Sequence, residues 1–225
     1  DAQAILALNG LAKNAQEHLW STLGVDYFMR HDADEIAWHT RLISGRPWDG
    51  VSPEPPVVRA RQAHEGRGIQ VMVFSHDQTD LFARICGYFD RQSYTIMDAK
   101  IHTTRDGHVL DSFELLNEQQ GVEVREAMGL IEAGLSHELT HLAPLRAPVV
   151  GRVSRRVRSF PMRPHVALSP DEKGQHWLLT VSASDRNGLL YSITHTLASH
   201  KISVELAKIM TLGERVEDVF LISGE

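Results

Sequence analysis

Residues 177–211 read WLLTVSASDRNGLLYSITHTLASHKISVELAKIMT, and residues 69–103, which lie 108 positions earlier, read IQVMVFSHDQTDLFARICGYFDRQSYTIMDAKIHT. Laid over each other without a gap, Val181 meets Val73, Asp185 meets Asp77, Leu189 meets Leu81 and Ile193 meets Ile85. Ala207-Lys-Ile209 then falls on Ala99-Lys-Ile101, and Thr211 on Thr103. After a one-residue deletion Asp218-Val-Phe220 falls on Asp111-Ser-Phe113. Self-similarity at a fixed spacing is the strongest organisational signal in a single sequence, so the chain holds two copies of one small module.

The local pattern supplies the elements of that module. Ile69, Val71 and Val73 alternate with Gln70 and Met72, a half-buried strand ending near Ser75. Leu81, Ile85 and Phe89 take helical spacing, Tyr94 to Thr104 is strand-like, and Arg105-Asp-Gly107 turns the chain into a strand over His108 to Leu116. Val122 to Leu142 is a second helix. A fourth strand is needed to close the module, and the candidate is Val157 to Leu168, whose Pro161 and Pro164 place it at a sheet edge. Val57 to Arg61 is a further strand, folded back through the Glu65 to Gly68 turn. The second copy runs Trp177 to Ser184, Gly188 to His200, Ile202 to Thr211 and Val216 to Ser223, and there it stops, without its closing helix and strand.

A βαββαβ order predicts an α+β fold of ferredoxin-like modules in tandem, each a four-stranded antiparallel sheet with two helices on one face. The first module is expected over residues 57–168 and the second, truncated after its third strand, over residues 169–225. Upstream, Ile5, Leu8, Leu11, Ala12, Ala15, Leu19 and Leu23 recur at three and four, a one-sided helix ending at Gly24. Asp32 reads as an N-cap with Glu35 completing a capping box, so a second helix should run from Ala33 to about Ile43. Residues 1–45 are thus a helical segment, and the Pro-rich stretch 46–56 a linker.

Composition narrows the class of function. The chain has 225 residues, 42% of them hydrophobic and 23% charged, which is ordinary material for buried cores. A formal net charge of -6 argues against a general nucleic-acid or anionic-membrane surface. The single Cys86 forms no internal disulfide and no thiolate zinc site, which fits a reducing cytoplasm, and its place among apolar residues points to packing. No run is long and apolar enough to span a bilayer, and no charged-then-apolar signal pattern opens the chain. The chain begins mid-pattern at Asp1 without an initiator Met, as a piece of something longer would.

The most informative short motif is Ser184-Asp-Arg-Asn-Gly-Leu-Leu190, which joins the first strand of the second copy to its helix. Asp185 or Asn187 can cap that helix, Gly188 removes a side chain where a ligand could approach, and the first-turn N–H groups suit a carboxylate. The bland alternative is a tight strand-to-helix turn with no ligand, since Gly and Asn punctuate most such turns.

With the duplication, the paired Asp-x-x-x-Leu-(Leu/Phe) turns, the Ala-Lys-Ile-x-Thr strands and Gly213-Glu-Arg-Val-Glu-Asp-Val-Phe220 resemble tandem ACT domains, amino-acid-sensing modules of metabolic enzymes. Asp26-Tyr-Phe-Met-Arg-His31, Glu35-Ile-Ala-Trp-His-Thr-Arg41, Asp80-Leu-Phe-Ala-Arg84 and Thr103-Thr-Arg-Asp-Gly107 are similar to the C-terminal half of the bacterial PII uridylyltransferase/uridylyl-removing family. The resemblance covers nearly the whole chain. It implies an enzyme whose nucleotidyltransferase domain uridylylates the nitrogen-signalling protein PII, whose HD domain removes the group, and whose ACT pair reads glutamine. The chain carries no Gly-Gly-Ser with a following Asp-x-Asp, and its His31-Asp32 and His76-Asp77 pairs lack the further spaced His and Asp of an HD site. No cofactor is therefore expected here, and Mg²⁺ only in the catalytic domains that the chain lacks. Residues 1–45 would follow the HD domain.

On this resemblance the ligand-binding residues are Asp185, Arg186, Asn187, Gly188, Leu189 and Leu190, with Asp77, Gln78 and Thr79 in the first copy. The first copy departs from the pattern, because Asp80 stands where the second has Gly188, and its charge would oppose an incoming carboxylate. ACT ligands usually sit between two modules, against the turn and the facing second strand, which adds Tyr94 to Asp98 and Ile202 to Val204 as secondary candidates. Glutamine should offer its α-carboxylate to the N–H groups at Gly188 and its α-amino group to Asp185 or a neighbouring carbonyl.

Two further motifs carry less. His137-Glu-Leu-Thr-His141 matches the His-Glu-x-x-His zinc pattern, with Glu172 downstream, but at the end of a helix before a Pro-containing loop surface histidines are the better reading. Arg152 to Arg163, with Arg155, Arg156, Arg158 and Phe160, has the mix of a nucleic-acid groove, yet the overall acidity favours a charged sheet edge. Trp20, Trp38 and Trp48 are packing residues. The expectation is a glutamine-sensing regulatory piece that acts with PII through the whole enzyme and binds neither nucleic acid nor membrane. The alternative is an ACT pair that dimerises the enzyme or docks PII without binding a ligand.

Overall fold

A computed structural model describes residues 2–8, 16–44, 55–63, 68–78, 80–117, 123–149, 162–172, 174–212 and 214–224. The helical segment holds α1 (Ala2–Leu8), α2 (Glu17–Thr22), α3 (Val25–Arg30) and α4 (Ala33–Ile43). Strands β1 (Val57–Gln62) and β2 (Gly68–His76) follow, then α5 (Leu81–Arg91), β3 (Tyr94–Lys100), β4 (His108–Asn117) and α6 (Val124–His141). The second half holds β5 (His165–Pro170), β6 (Trp177–Ser184), a seventh helix α7 (Leu189–Ser199), β7 (Ser203–Lys208), the short β8 (Thr211–Leu212) and β9 (Arg215–Ser223).

All strands join one antiparallel sheet in the order β1-β2-β4-β3-β7-β9-β6-β5, with β8 on β9. The order is a palindrome about the β3–β7 seam, where the register pair is Lys100 with Lys208, the same position in the two copies. The fold is α+β, two ferredoxin-like units side by side, and the duplication becomes a twofold relation within one sheet. On one face α5 and α7 pack on each other across the seam. Gly87 permits the approach, because a Cβ there would meet the Tyr191 ring at 2.6 Å. The core on this face runs through both halves, from Val71, Val73 and Phe89 to Val181, Ala207 and Phe220.

The opposite face of the first half is covered by the helical segment. Leu19, Tyr27, Ile36, Trp38 and Ile43 pack there on Met72, Phe74 and Leu110. Strand β2, expected to be half-buried, is therefore buried on both faces: Val71 and Val73 meet the helices α5 and α6, and Met72 and Phe74 meet the helical segment. The Asp32 cap is made, its Oδ1 accepting from the Glu35 N–H at 2.8 Å. Glu35 answers it, because the Asp32 backbone N–H bonds to its carboxylate, and it also does more. Its carboxylate reaches the sheet and accepts from Lys100 Nζ and from Gln70 Nε2, each at 2.6 Å.

The topology corrects the expected closing strand. Val157 to Leu168 was to finish the first module, but the strand found there, β5, starts at His165 and pairs with β6 of the second half from His165–Ser182 to Pro170–Trp177. The edge beside β2 is taken by β1, which pairs from Val57–Phe74 to Gln62–Ile69. In each half the edge strand precedes the repeat. The reason is chain length: β1 reaches its neighbour through a short connection, whereas the long stretch after α6 carries the chain to the far half. In the second half β5 consequently fills the edge place of the strand thought to be missing. It lacks a counterpart of α6 among the described residues, and Val166 and Leu168 on β5 stand 62% and 57% exposed. The domain boundary expected after residue 168 falls inside β5.

Of the helix expected over Ile5 to Leu23, α1 and α2 are described and residues 9–15 lie outside the described residues, while α3 was not anticipated. Most of the linker 46–56, with Trp48, and residues 152–161 of the basic stretch also lie outside them. No described helix is long and apolar enough to cross a membrane.

Candidate functional site

Strand β6 ends at Ser184, and the chain turns through Asp185-Arg-Asn-Gly188 into α7. The N-cap is Gly188, in the left-handed region at φ +77°, so the cap position falls on a residue without a side chain rather than on Asp185 or Asn187. The turn is held by its backbone: Asp185 N–H donates to Glu214 O at 2.8 Å, Leu189 N–H to Arg186 O at 3.1 Å, and Ser192 N–H to Gly188 O at 2.9 Å. Leu189 N–H is thereby used, and with glycine at the cap position the amides of the next residues can be approached from the front.

What lies in front is the other half of the molecule. The turn faces the end of α5 and the start of β3, and the two enclose a cavity of about 710 Å³ including its mouth. Asp185 to Leu190 line it from one side, and Tyr94, Thr95 and Ile96 from the other. A Cβ on Gly188 would lie 2.9 Å from the Val149 carbonyl oxygen and 3.4 Å from Asp90 Oδ1, so the turn comes close to its neighbours only as glycine. Asp218, 1% exposed, forms the floor. Its Oδ1 accepts from Met210 N–H at 3.3 Å, and burial pushes its carboxyl up to about 6.

The duplication generates an image of this cavity across the seam. Asp77, Gln78, Leu81 and Phe82 face Ile202, Ser203 and Val204 around a smaller space of about 410 Å³. Asp111 lies where Asp218 does, its Oδ1 accepting from His102 N–H at 3.2 Å, and burial raises its carboxyl well above the usual range. Asp80, in the place of Gly188, makes no cap either; its carboxylate pairs with Arg84 one turn on. The charge thought to oppose a ligand is thus tied to a guanidinium.

The structure therefore brings all six turn residues of the second copy to one cavity, and Asp77 and Gln78 to its image. Thr79 lies outside the described residues. Tyr94 to Ile96 and Ile202 to Val204 face the turns of the opposite halves, whereas Met97 and Asp98 line neither cavity. Sequence reasoning missed Cys86, Asp90, Tyr191 and Asp218. Asp218 had a signal, its alignment with Asp111. Cys86 and Asp90, one helical turn apart on α5, had only their spacing, because nothing local says which face of α5 meets the other half.

The His-Glu-x-x-His stretch closes α6 differently from a metal site. The rings of His137 and His141 stack at 3.9 Å, His141 Nδ1 lies 2.9 Å from the His137 carbonyl, and Glu138 pairs with Arg91 at 2.8 Å. No group of three metal-ligating side chains occurs among the described residues.

Comparison with known proteins places the chain. Residues 1–42 match the family model described as the uridylyltransferase GlnD fifth domain. Over its whole length the chain is 48% identical to bifunctional uridylyltransferase/uridylyl-removing enzymes of Ralstonia nicotianae and Cupriavidus metallidurans, and 47% to that of Aromatoleum aromaticum, covering 26% of each. It spans about a quarter of the length of these relatives. No solved structure matches. The chain corresponds to one part of the bifunctional uridylyltransferase/uridylyl-removing enzymes, and the matches fit a C-terminal fragment of them.

Proposed function

We propose that this chain is the amino-acid-sensing part of a bifunctional uridylyltransferase/uridylyl-removing enzyme, that glutamine is its ligand, and that binding governs the modification of PII by catalytic domains elsewhere in that enzyme. The observation that carries the reading is the cavity between the two halves, where the start of α7, with glycine at its cap position, faces β3 of the other copy. A helix start supplies donors for an α-carboxylate. A site shared by two halves turns binding into a change of their packing, and a ligand that binds one packing better shifts the balance toward it. The helical segment rests on the seam from the opposite face, so that change has a structural path toward domains preceding it.

Calorimetric titration with glutamine, with glutamate and asparagine as controls, tests this. Selective binding supports the sensor, and absence of binding to the folded chain refutes it. The exposed edge strand β5 favours a second reading, a scaffold that dimerises or docks PII through that edge. It predicts stability that depends on protein concentration and not on glutamine.

A further inference from the structure

The cavity at the Gly188 turn contains an anion and a cation that no described residue holds in a hydrogen bond or an ion pair. Asp90, from α5 of the first half, and Arg186, from the turn of the second, both line it. Among the described residues neither side chain makes a hydrogen bond or an ion pair; the adjacent Arg91, whose charge acts on Asp90, forms its ion pair with Glu138 at 2.8 Å. Asp90 stands at the turn, 3.4 Å and 3.6 Å by its two oxygens from where a Gly188 side chain would begin. Partly buried charges of both signs, facing one space without neutralising each other, are costly unless a ligand answers both.

The other carboxylates of the cavity are less available. Asp218 is 1% exposed and holds Met210 N–H, and Asp185 is already engaged within the chain. The image cavity is a control built into the molecule. Counting 108 positions between copies, Ala198 replaces Asp90, Gln78 replaces Arg186 and Ile202 replaces Tyr94. Both charges are absent from the image, although its Asp77 and Asp111 repeat Asp185 and Asp218.

Building on the sensing function proposed above, we infer that the Gly188 cavity is a zwitterion site in which Asp90 takes the α-ammonium and Arg186, with the start of α7, takes the α-carboxylate, and that its image binds no amino acid. The chain then holds one ligand, assembled from both halves, and Asp90 rather than Asp185 receives the amino group.

The test is calorimetry on the 225-residue chain with L-glutamine and with 4-carbamoylbutanoate, which is glutamine without its amino group. One glutamine per chain is expected, with the deamino compound weaker by roughly tenfold or more, the usual weight of a charge-assisted hydrogen bond. Asp90→Asn should lose that discrimination and bind both compounds alike, while Asp90→Glu, which keeps the carboxylate, should retain a preference for glutamine. Two glutamines per chain, equal binding of both compounds by the wild type, or an Asp90→Asn chain that still prefers glutamine would each overturn the assignment. A wild-type chain that binds no glutamine overturns the sensing function as well, so the two failures are told apart by the wild type alone. Thermal melts of both variants identify an unfolded one, in which case the wild-type stoichiometry and discrimination decide.

Discussion

The guanidinium of Arg30 donates from Nη2 to the carbonyl of Ala207 at 2.7 Å, joining helix α3 to strand β7 across 177 positions of chain. Its Nη1 reaches the carbonyl of Ile101, just past the end of β3, at 3.4 Å. One side chain of the helical segment thus spans the seam between the two halves. Arg30→Met keeps much of the packing and removes both bonds. Unfolding in urea should show a loss of about 2 kcal/mol, the range for bonds made by a charged donor. An unchanged midpoint would show that the seam is held without it.

At Gly188 the left-handed backbone and the Val149 carbonyl act together. Gly188→Ala places a Cβ in an unfavourable region, at about 1–2 kcal/mol, and against an oxygen at 2.9 Å. The melting temperature should fall, and glutamine binding should weaken because the turn must move away from Asp90. A variant as stable as the wild type and binding equally well would mean that the turn adapts freely.

Asp218 predicts a pH dependence of definite sign. Its carboxyl is raised from 3.8 to about 6 in the folded chain, chiefly by burial and further by Asp185, while the Met210 N–H opposes the rise. The folded state therefore keeps its proton where the unfolded state has lost it. The contribution to stability is fully present below about 4 and is lost as pH rises through about 6, on the order of 3 kcal/mol. Asp218→Asn keeps an acceptor for Met210 and removes the titration, so denaturation midpoints at pH 5 and pH 7 should differ less in the variant than in the wild type.

His31 works in the opposite direction over the same range. Its imidazole is lowered from 6.5 to about 4, chiefly by burial and also by Lys100, Arg30 and His102, against the bond to the Tyr27 carbonyl. Its contribution is present above about 6.5 and lost as pH falls through about 4, because the unfolded chain takes the proton first. His31→Phe preserves the stacking on Tyr27, found at 4.2 Å between ring centres, and should flatten the acid limb of the stability curve. An acid limb as steep as that of the wild type would place the titration on other groups.

Much of this architecture was legible because it is local or repeated. Alternation of Ile69, Val71 and Val73 marks a strand, Asp32 marks a helix start, and the copy at residues 177–211 repeats the elements in the same order. The six residues from Asp185 to Leu190 were readable as a turn that a ligand could approach, since glycine before a helix has a local meaning. The partner of β5 was not readable, because hydrophobic alternation is the same whichever edge a strand joins. Asp90 was invisible for a similar reason: on α5 it looks like any solvated acid until α7 packs beside it.

By itself, then, the sequence determined that there are two copies of one module, where their strands and helices begin, and which turn sets a glycine before a helix. Those properties depend on neighbours within a few residues or on comparison of the chain with itself. Only the tertiary structure decided that β1 and β5 supply the outer edges, that the copies meet at Lys100 and Lys208, and that Asp90 and Arg186 line one cavity. Long-range pairing arises from burying complementary surfaces, and complementarity belongs to the two surfaces together rather than to either stretch of chain.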